Sequence, residues 1–211
     1  MTIATFEDFN LSEEVLNALR DMGYVEPTPI QKRAIPVALS GGDLIGQAQT
    51  GTGKTAAFGI PIVEAKNPRE ARPYAIVLTP TRELAIQVSE EIKRIGKHRK
   101  VTTLAVYGGQ PIGPQINSLK RGVHVVVGTP GRVLDHLRRK TLKLSGIKIL
   151  VLDEADEMLN MGFIDDIRKI IRETPKDRQT MLFSATMPGP IQEIAKRYMK
   201  EPVKIRFKSQ G

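Results

Sequence analysis

Apolar runs at 74–78, 101–106, 123–127, 147–152 and 180–183 have strand length, and four of them are almost unbroken by polar residues. A strand with one wet face alternates, whereas one buried on both faces does not. Such strands belong to parallel sheets whose crossover helices cover both sides. Between the runs, 81–96, 111–121, 130–140 and 163–173 suit helices. The expectation is therefore an α/β fold, a doubly wound, mostly parallel sheet flanked by helices on both faces. Ahead of it, Leu11, Val15, Leu16 and Leu19 recur at helical spacing around a capping Ser12, with Glu14 nearby, and Gly23 ends that helix. Pro27 sets a bend and Pro29 starts a second helix with Ile30, Ala34, Ile35 and Ala38 on one face. A helix near 191–199 and an edge strand at 203–207 are expected last. With 211 residues, 40% of them hydrophobic, one substantial core and a single domain are expected. There is no cysteine, so a disulfide framework and a cysteine-ligated zinc site are excluded. No N-terminal run resembles a signal peptide and no apolar run is long enough to span a bilayer, so a soluble, cytoplasmic protein without membrane partners is expected. The charged, proline-bearing stretch 66–72 is the expected disordered piece.

Residues 48–55, AQTGTGKT, stand between a short strand at 43–47 and an apolar helix containing Ala56, Ala57, Phe58, Ile60, Ile62 and Val63. Gly51 and Gly53 permit dihedrals that turn successive N–H groups into one concavity, and the helix adds unpaired N-terminal donors. That concavity suits the phosphates of a nucleotide. Lys54 then reaches the β and γ phosphates and the Thr55 hydroxyl is placed to ligate Mg²⁺, as in the pattern G-x-x-x-x-G-K-[ST]. Ala48 departs from the pattern where the first glycine belongs, which leaves a glycine-rich surface turn as the alternative. In the second helix, Gln31 offers an amide complementary to the N6 and N7 edge of adenine, with Phe6 or Phe9 as a stacking face. The competing readings are an exposed helix residue and two core phenylalanines.

In doubly wound sheets ligands bind outside the carboxyl ends of the strands. There the sequence places Thr79 to Ala85, Gly108-Gly109, Gly128 to Arg132, Asp153 to Asp156 and Ser184 to Thr186. An acid ending a strand beside a phosphate loop holds Mg²⁺ and its neighbour orients or deprotonates the attacking water, so Asp153 is assigned to the metal and Glu154 to the water. An acidic helix start is the alternative. The net charge of +9 is unevenly spread. Residues 93–143 hold twelve Lys or Arg and one acid, Asp135, and the other 20 bases and 22 acids nearly cancel. This is the footprint of a nucleic-acid backbone contact, or a solvated face.

Taken together, Phe6, GYVEPTPIQ at 23–31, AQTGTGKT at 48–55, PTRELA at 80–85, Gly108-Gly109, TPGR at 129–132, DEAD at 153–156 and SAT at 184–186 resemble the first core domain of the DEAD-box RNA helicases, over the whole chain. That family uses an alanine where Ala48 stands. The resemblance implies a RecA-like fold, with 1–40 as an adenine-recognition extension and 41–211 as the phosphate-loop core. It implies that Gln31, with Tyr24, Thr28 and Phe6, reads adenine. It assigns Thr50, Gly51, Thr52, Gly53, Lys54 and Thr55 to ATP, and Thr55 and Asp153 to Mg²⁺. It assigns Thr81, Arg82, Gly109, Thr129 and Arg132 to one RNA strand, positions that flank or lie inside the basic segment. The helix carrying Val133, Leu134 and Leu137 is similar to one that bends the strand. Ser184 and Thr186 are implied to hydrogen-bond Asp156 and tie the nucleotide site to the inter-domain face. Family members continue into a second RecA-like domain that supplies an arginine finger and half of the RNA cleft. Only 25 residues follow Thr186, so this chain is expected to be one half of a helicase, binding nucleotide weakly and hydrolysing ATP hardly at all. A self-sufficient phosphate-loop ATPase, a nucleotide-switched adaptor and a DNA ligand are the competing expectations.

Overall fold

Alternate side chains of a strand leave the sheet on opposite faces, and in this chain both faces are covered. The computed structural model describes residues 2–49, 51–67 and 72–207. The strands are β1 (Leu44–Gln47), β2 (Ala75–Leu78), β3 (Thr103–Val106), β4 (Val125–Gly128), β5 (Ile149–Leu152), β6 (Gln179–Ser184) and β7 (Val203–Arg206). They form one sheet in the order β3-β4-β2-β5-β6-β1-β7. Every pairing in it is parallel, where the sequence led us to expect a mostly parallel sheet.

The helices are α1 (Glu13–Asp21), α2 (Pro29–Leu39), α3 (Lys54–Glu64), α4 (Arg82–Ile95), α5 (Gly113–Arg121), α6 (Pro130–Arg138), α7 (Ala155–Asn160), α8 (Ile164–Arg172) and α9 (Gly189–Tyr198). On one face α1 to α4 pack on Ala75, Val77, Val125, Val127, Val151 and Phe183. On the other, side chains of α6 to α9 pack on Ile76, Leu78, Val126, Leu150, Leu152 and Leu182. The expected elements are present with ends moved by a few residues. Missing from the sequence reading were α7 and the 3-10 turns Phe6–Phe9 and Lys97–Arg99. Each is six residues or shorter, too short for a helical period to register. Edge strand β7 exposes Lys204 and Arg206 and buries Ile205, the charged edge that discourages further strand pairing. In the stretch expected to be disordered, 68–71 lie outside the described residues, as does Thr50. Among the described residues no helix is long and apolar enough to cross a membrane.

The sheet order positions the site. β6 alone separates β1 from β5, so the loop after β1 and the acids after β5 lie at the same edge, about two strand spacings or ~10 Å apart.

Candidate active site

The turn after β1 reaches α3 through Gly51 (φ 88°) and Gly53 (φ 83°), both in the left-handed region that a side chain disfavours. Gly53 is also crowded. A Cβ there would lie 2.6 Å from Gln31 Nε2 and 3.0 Å from the Thr28 side chain. As N-cap of α3, Gly53 supplies no side-chain hydrogen bond to the first turn, so the helix N-terminus keeps donors available for an anion. Thr52 Oγ1 donates to the Gln49 carbonyl at 2.9 Å, bracing the turn. Thr55 is half-buried in the first turn of α3.

Lys54 is the first residue of that helix, and its ammonium lies 2.9 Å from Asp153 Oδ1, with both side chains buried. The contact is a close ion pair without the alignment of a good hydrogen bond, and Asp153 Oδ2 has no hydrogen-bond partner. Burial pushes the Asp153 carboxyl above the usual range, opposed by the Lys54 charge. A buried carboxylate with an unused oxygen fits a hard cation. Mg²⁺ binds through one or two carboxylates together with phosphates and waters. Glu154 follows in the left-handed conformation (φ 52°, ψ 53°) as N-cap of α7. A non-glycine residue held there stores strain, a pattern that concentrates at functional sites.

The Thr28–Gln31 pair forms a capping box at the start of α2. Gln31 Oε1 accepts from Thr28 N at 2.9 Å and Nε2 donates to the Gly53 carbonyl at 3.0 Å. Gln31 is therefore buried, not the exposed helix residue that was its alternative reading, and it ties α2 to the phosphate turn. Phe6 and Phe9 are both buried. Phe6 stacks on Tyr24 with centroids 5.9 Å apart, and Tyr24 Oη donates to Glu91. Burial and that carboxylate push the Tyr24 phenol upward.

Along the same edge, Thr81 caps α4 by accepting from Leu84 N at 3.2 Å. The Arg82 guanidinium stands 5.0 Å over the Tyr107 ring. Gly109 (φ 78°) has open space where a Cβ would go, and Thr129 is the N-cap of α6. Arg132 donates to Gln115 Oε1 at 3.2 Å and to the Gln110 carbonyl at 2.9 Å. Beyond Asp153, the Asp156 carboxylate accepts from Thr186 Oγ1 at 2.9 Å and Thr186 N at 3.1 Å, while Ser184 Oγ accepts from Asp156 N at 3.0 Å. Burial acts to raise the Asp156 pKa, but the Thr186 and backbone hydrogen bonds outweigh it and hold the carboxyl below its usual range.

Residues 28–194 match the family model described as DEAD/DEAH box helicase. The chain belongs to the DEAD/DEAH box helicase family. It is 57% identical over 209 residues to the DEAD-box ATP-dependent RNA helicase CshA of Bacillus subtilis, covering 99% of this chain and 42% of that protein. It is 56% identical over 207 residues to CshA of Geobacillus kaustophilus, covering 98% of this chain and 44% of that one. The chain thus spans less than half the length of these relatives. The crystal structure of a DEAD box protein from Methanococcus jannaschii superposes with a TM-score of 0.94 at 47% identity, over 99% of this chain and 57% of that one. The fold is the RecA-like fold of this helicase family.

For this helicase domain the structure revises the reading of its charge. Of the twelve bases in 93–143, Arg132 lies at the edge of the DEAD acids. The others lie in the last turns of α4, α5 and α6 or in the segments leading into β3 and β5, toward the opposite edge. Parallel strands joined by antiparallel helices place every helix C-terminus beside the next strand's amino end. The charge excess therefore does not coincide with the motif residues, and its agreement with them in sequence was accidental.

Gln115, His136 and Asp43 were not singled out. Gln115 is buried and donates from Nε2 to the Tyr107 carbonyl at 3.0 Å, which orients its oxygen toward Arg132 and toward His136 Nε2 at 2.8 Å. His136 is fully buried beside Thr141 Oγ1, and its place three residues after Val133 on an apolar helix face was a usable signal. Nothing local to Gln115 pointed to its role.

Proposed function

We propose that this chain is the ATP- and RNA-binding first half of an ATP-dependent RNA helicase. The carrying observation is the buried Lys54–Asp153 pair at the uncapped N-terminus of α3, with one carboxylate oxygen unsatisfied. An ammonium, free helix donors and a carboxylate with an unused oxygen at one edge support this reading of phosphate and metal binding.

In this reading the backbone of Gly51 to Gly53 receives phosphate oxygens and Lys54 turns from Asp153 to the more highly charged triphosphate. Thr55 and Asp153 hold Mg²⁺, which supplies charge neutralisation of the phosphates when bound. Glu154, fixed at the head of α7, orients the attacking water and accepts its proton. Gln31 reads adenine with the groups it has left. Its bonds to Thr28 and Gly53 use one lone pair and one N–H, leaving one of each for N6 and N7. Thr28, Tyr24 and Phe6 complete that subsite.

The RNA strand lies along Thr81, Arg82, Gly109, Thr129 and Arg132. A guanidinium stacked on Tyr107 and another anchored by Gln110 and Gln115 present preordered donors to phosphates. Asp156, Ser184 and Thr186 couple the nucleotide edge to a second RecA-like domain, which completes the RNA cleft and the catalytic site.

The test is ATP turnover by this chain, with and without RNA, alone and with a second RecA-like domain supplied. Little turnover alone and RNA-dependent turnover after addition are expected, with loss in Lys54→Ala and Glu154→Gln. Robust RNA-stimulated turnover by the chain alone overturns the half-helicase reading, and turnover indifferent to RNA favours a self-sufficient ATPase.

A further inference from the structure

We infer that the edge of the sheet opposite the DEAD acids is a second polynucleotide-binding surface, which grips the RNA sugar–phosphate backbone independently of the motif residues. The choice of RNA as the polynucleotide rests on the proposed function; the surface itself does not.

Three segments at this edge build it: those leading into β3 and β4, which are adjacent strands, and the one leading into β5, with β2 between β4 and β5. The first two bring exposed Lys97, Lys100, Lys120 and Arg121 together. Their proximity is fixed by hydrogen bonds from His124 N and Val125 N to the Thr102 carbonyl, while Lys66 Nζ ties the Arg99 and Lys100 carbonyls to the end of α3. The third adds exposed Arg138, Lys140 and Lys143. β3 and β5 are three strand spacings apart in the sheet, so the segments share an edge about 15 Å wide. α4, with 14 residues, begins at Thr81-Arg82 and ends here, which puts the surface about 20 Å from the motif edge.

Favourable placement of cations at helix C-termini accounts for Lys120, Arg121 and Arg138 one at a time. It does not account for Lys97, Lys100, Lys140 and Lys143, which lie outside α-helices, nor for the composition of the segments. Residues 96–102, 118–124 and 138–148 contain no Asp or Glu. Of the acids near these segments, Asp21 meets His98, Asp135 meets Arg139, Glu64 accepts from Ser12 and Glu91 accepts from Tyr24, while Glu90 and Glu91 share a pocket with Lys97 at the rim of the surface.

The chemistry selects phosphate over a protein face. Among the described residues, the exposed large hydrophobics are Val25, Leu39, Ile86, Met161 and Val203, none of them in these segments. Protein interfaces are built around apolar cores and are poor in lysine. Lysine-rich apolar-free surfaces suit sequence-independent backbone contacts.

The experiment measures anisotropy of a labelled RNA duplex with this chain over a salt series. K97E/K100E/K120E/R121E is expected to bind at least ten-fold more weakly at low salt, with a log–log salt slope shallower by up to about 3.6, since each of four duplex phosphate contacts contributes about 0.9. R138E/K140E/K143E is a second, independent variant, and circular dichroism melts establish that each is folded. The R82A/R132A variant is expected to retain duplex binding through this surface while losing single-strand crosslinks at the motif edge. Parent-like affinity and slope in a folded patch variant overturns the inference, as does complete loss of duplex binding in R82A/R132A. Loss of polyglutamate binding with RNA binding intact also overturns it, in favour of an acidic protein segment. Absence of motif-edge crosslinks in the parent, with patch-dependent duplex binding preserved, defeats the proposed function and leaves this surface standing.

Discussion

At the scale of single residues, two backbone conformations concentrate the constraint. Gly53 combines a φ of 83° with a Cβ position 2.6 Å from Gln31 Nε2, so a side chain there strains the turn and displaces the amide that bonds the Gly53 carbonyl. Gly53→Ala is expected to cost about 1–3 kcal/mol in stability and to weaken nucleotide binding at least ten-fold, read by thermal melts and calorimetric titration; unchanged affinity would show that the turn does not hold phosphate. Glu154 occupies the left-handed region without being glycine. Comparing Glu154→Gly with Glu154→Ala isolates the backbone, because both remove the carboxylate. The glycine variant should be about 1 kcal/mol more stable in denaturant titrations, and neither should support hydrolysis once a second domain is supplied. Equal stability of the two would deny that strain is stored there.

Among elements, α6 depends on a buried polar network that its sequence hides. His136 is held neutral by burial, with the Arg132 charge acting in the same direction, and its pKa lies below the ordinary 6.5. The Gln115 oxygen it faces can only accept, so the neutral ring carries its proton on Nε2. A folded pKa below the unfolded one means the unfolded chain binds the proton first. Stability is thus insensitive to this group above about pH 6.5 and falls as the pH drops from there toward the folded value. His136→Gln should flatten that part of the stability–pH curve, and nitrogen-detected NMR should find the Nε2–H tautomer near pH 7. An imidazolium signal at pH 7 would overturn this account. Gln115 links the same network to Arg132, so Gln115→Met leaves buried groups unpaired at a cost of about 1–3 kcal/mol. It should also weaken RNA binding to the extent that Arg132 loses its orientation.

Over the whole molecule, the first strand of the chain lies between two of the last. β1 pairs with β6 and β7, and buried Asp43 at its start joins all three regions. One carboxylate oxygen accepts from Thr180 N at 2.8 Å and the other from Lys200 N at 2.7 Å. Asp43→Ala would leave two amides at a buried junction unsatisfied, and a loss of about 2–4 kcal/mol in global unfolding is expected. An unchanged melting temperature would show that water replaces the carboxylate without cost.

Fold and site were legible in the sequence to different depths. The strands were legible because burial on both faces removes polar residues from a run, and the turn before α3 because Gly51 and Gly53 take a left-handed backbone that favours glycine. α7 was hidden because DEAD reads first as chemistry, and a six-residue helix leaves no period. Gln31 could be seen as an amide with a purpose, but its burial depended on how α2 meets the phosphate turn. Local composition by itself determined the longer elements, the doubly wound sheet and the edge at which the motif residues gather. Tertiary structure alone decided that Lys54 rests on Asp153, that Gln115 joins Arg132 to His136, and that the basic segment faces away from the motif edge. Those outcomes depend on residues distant in the chain meeting across strands and helices, and on the direction in which each helix runs, neither of which is encoded in the spacing of neighbouring residues.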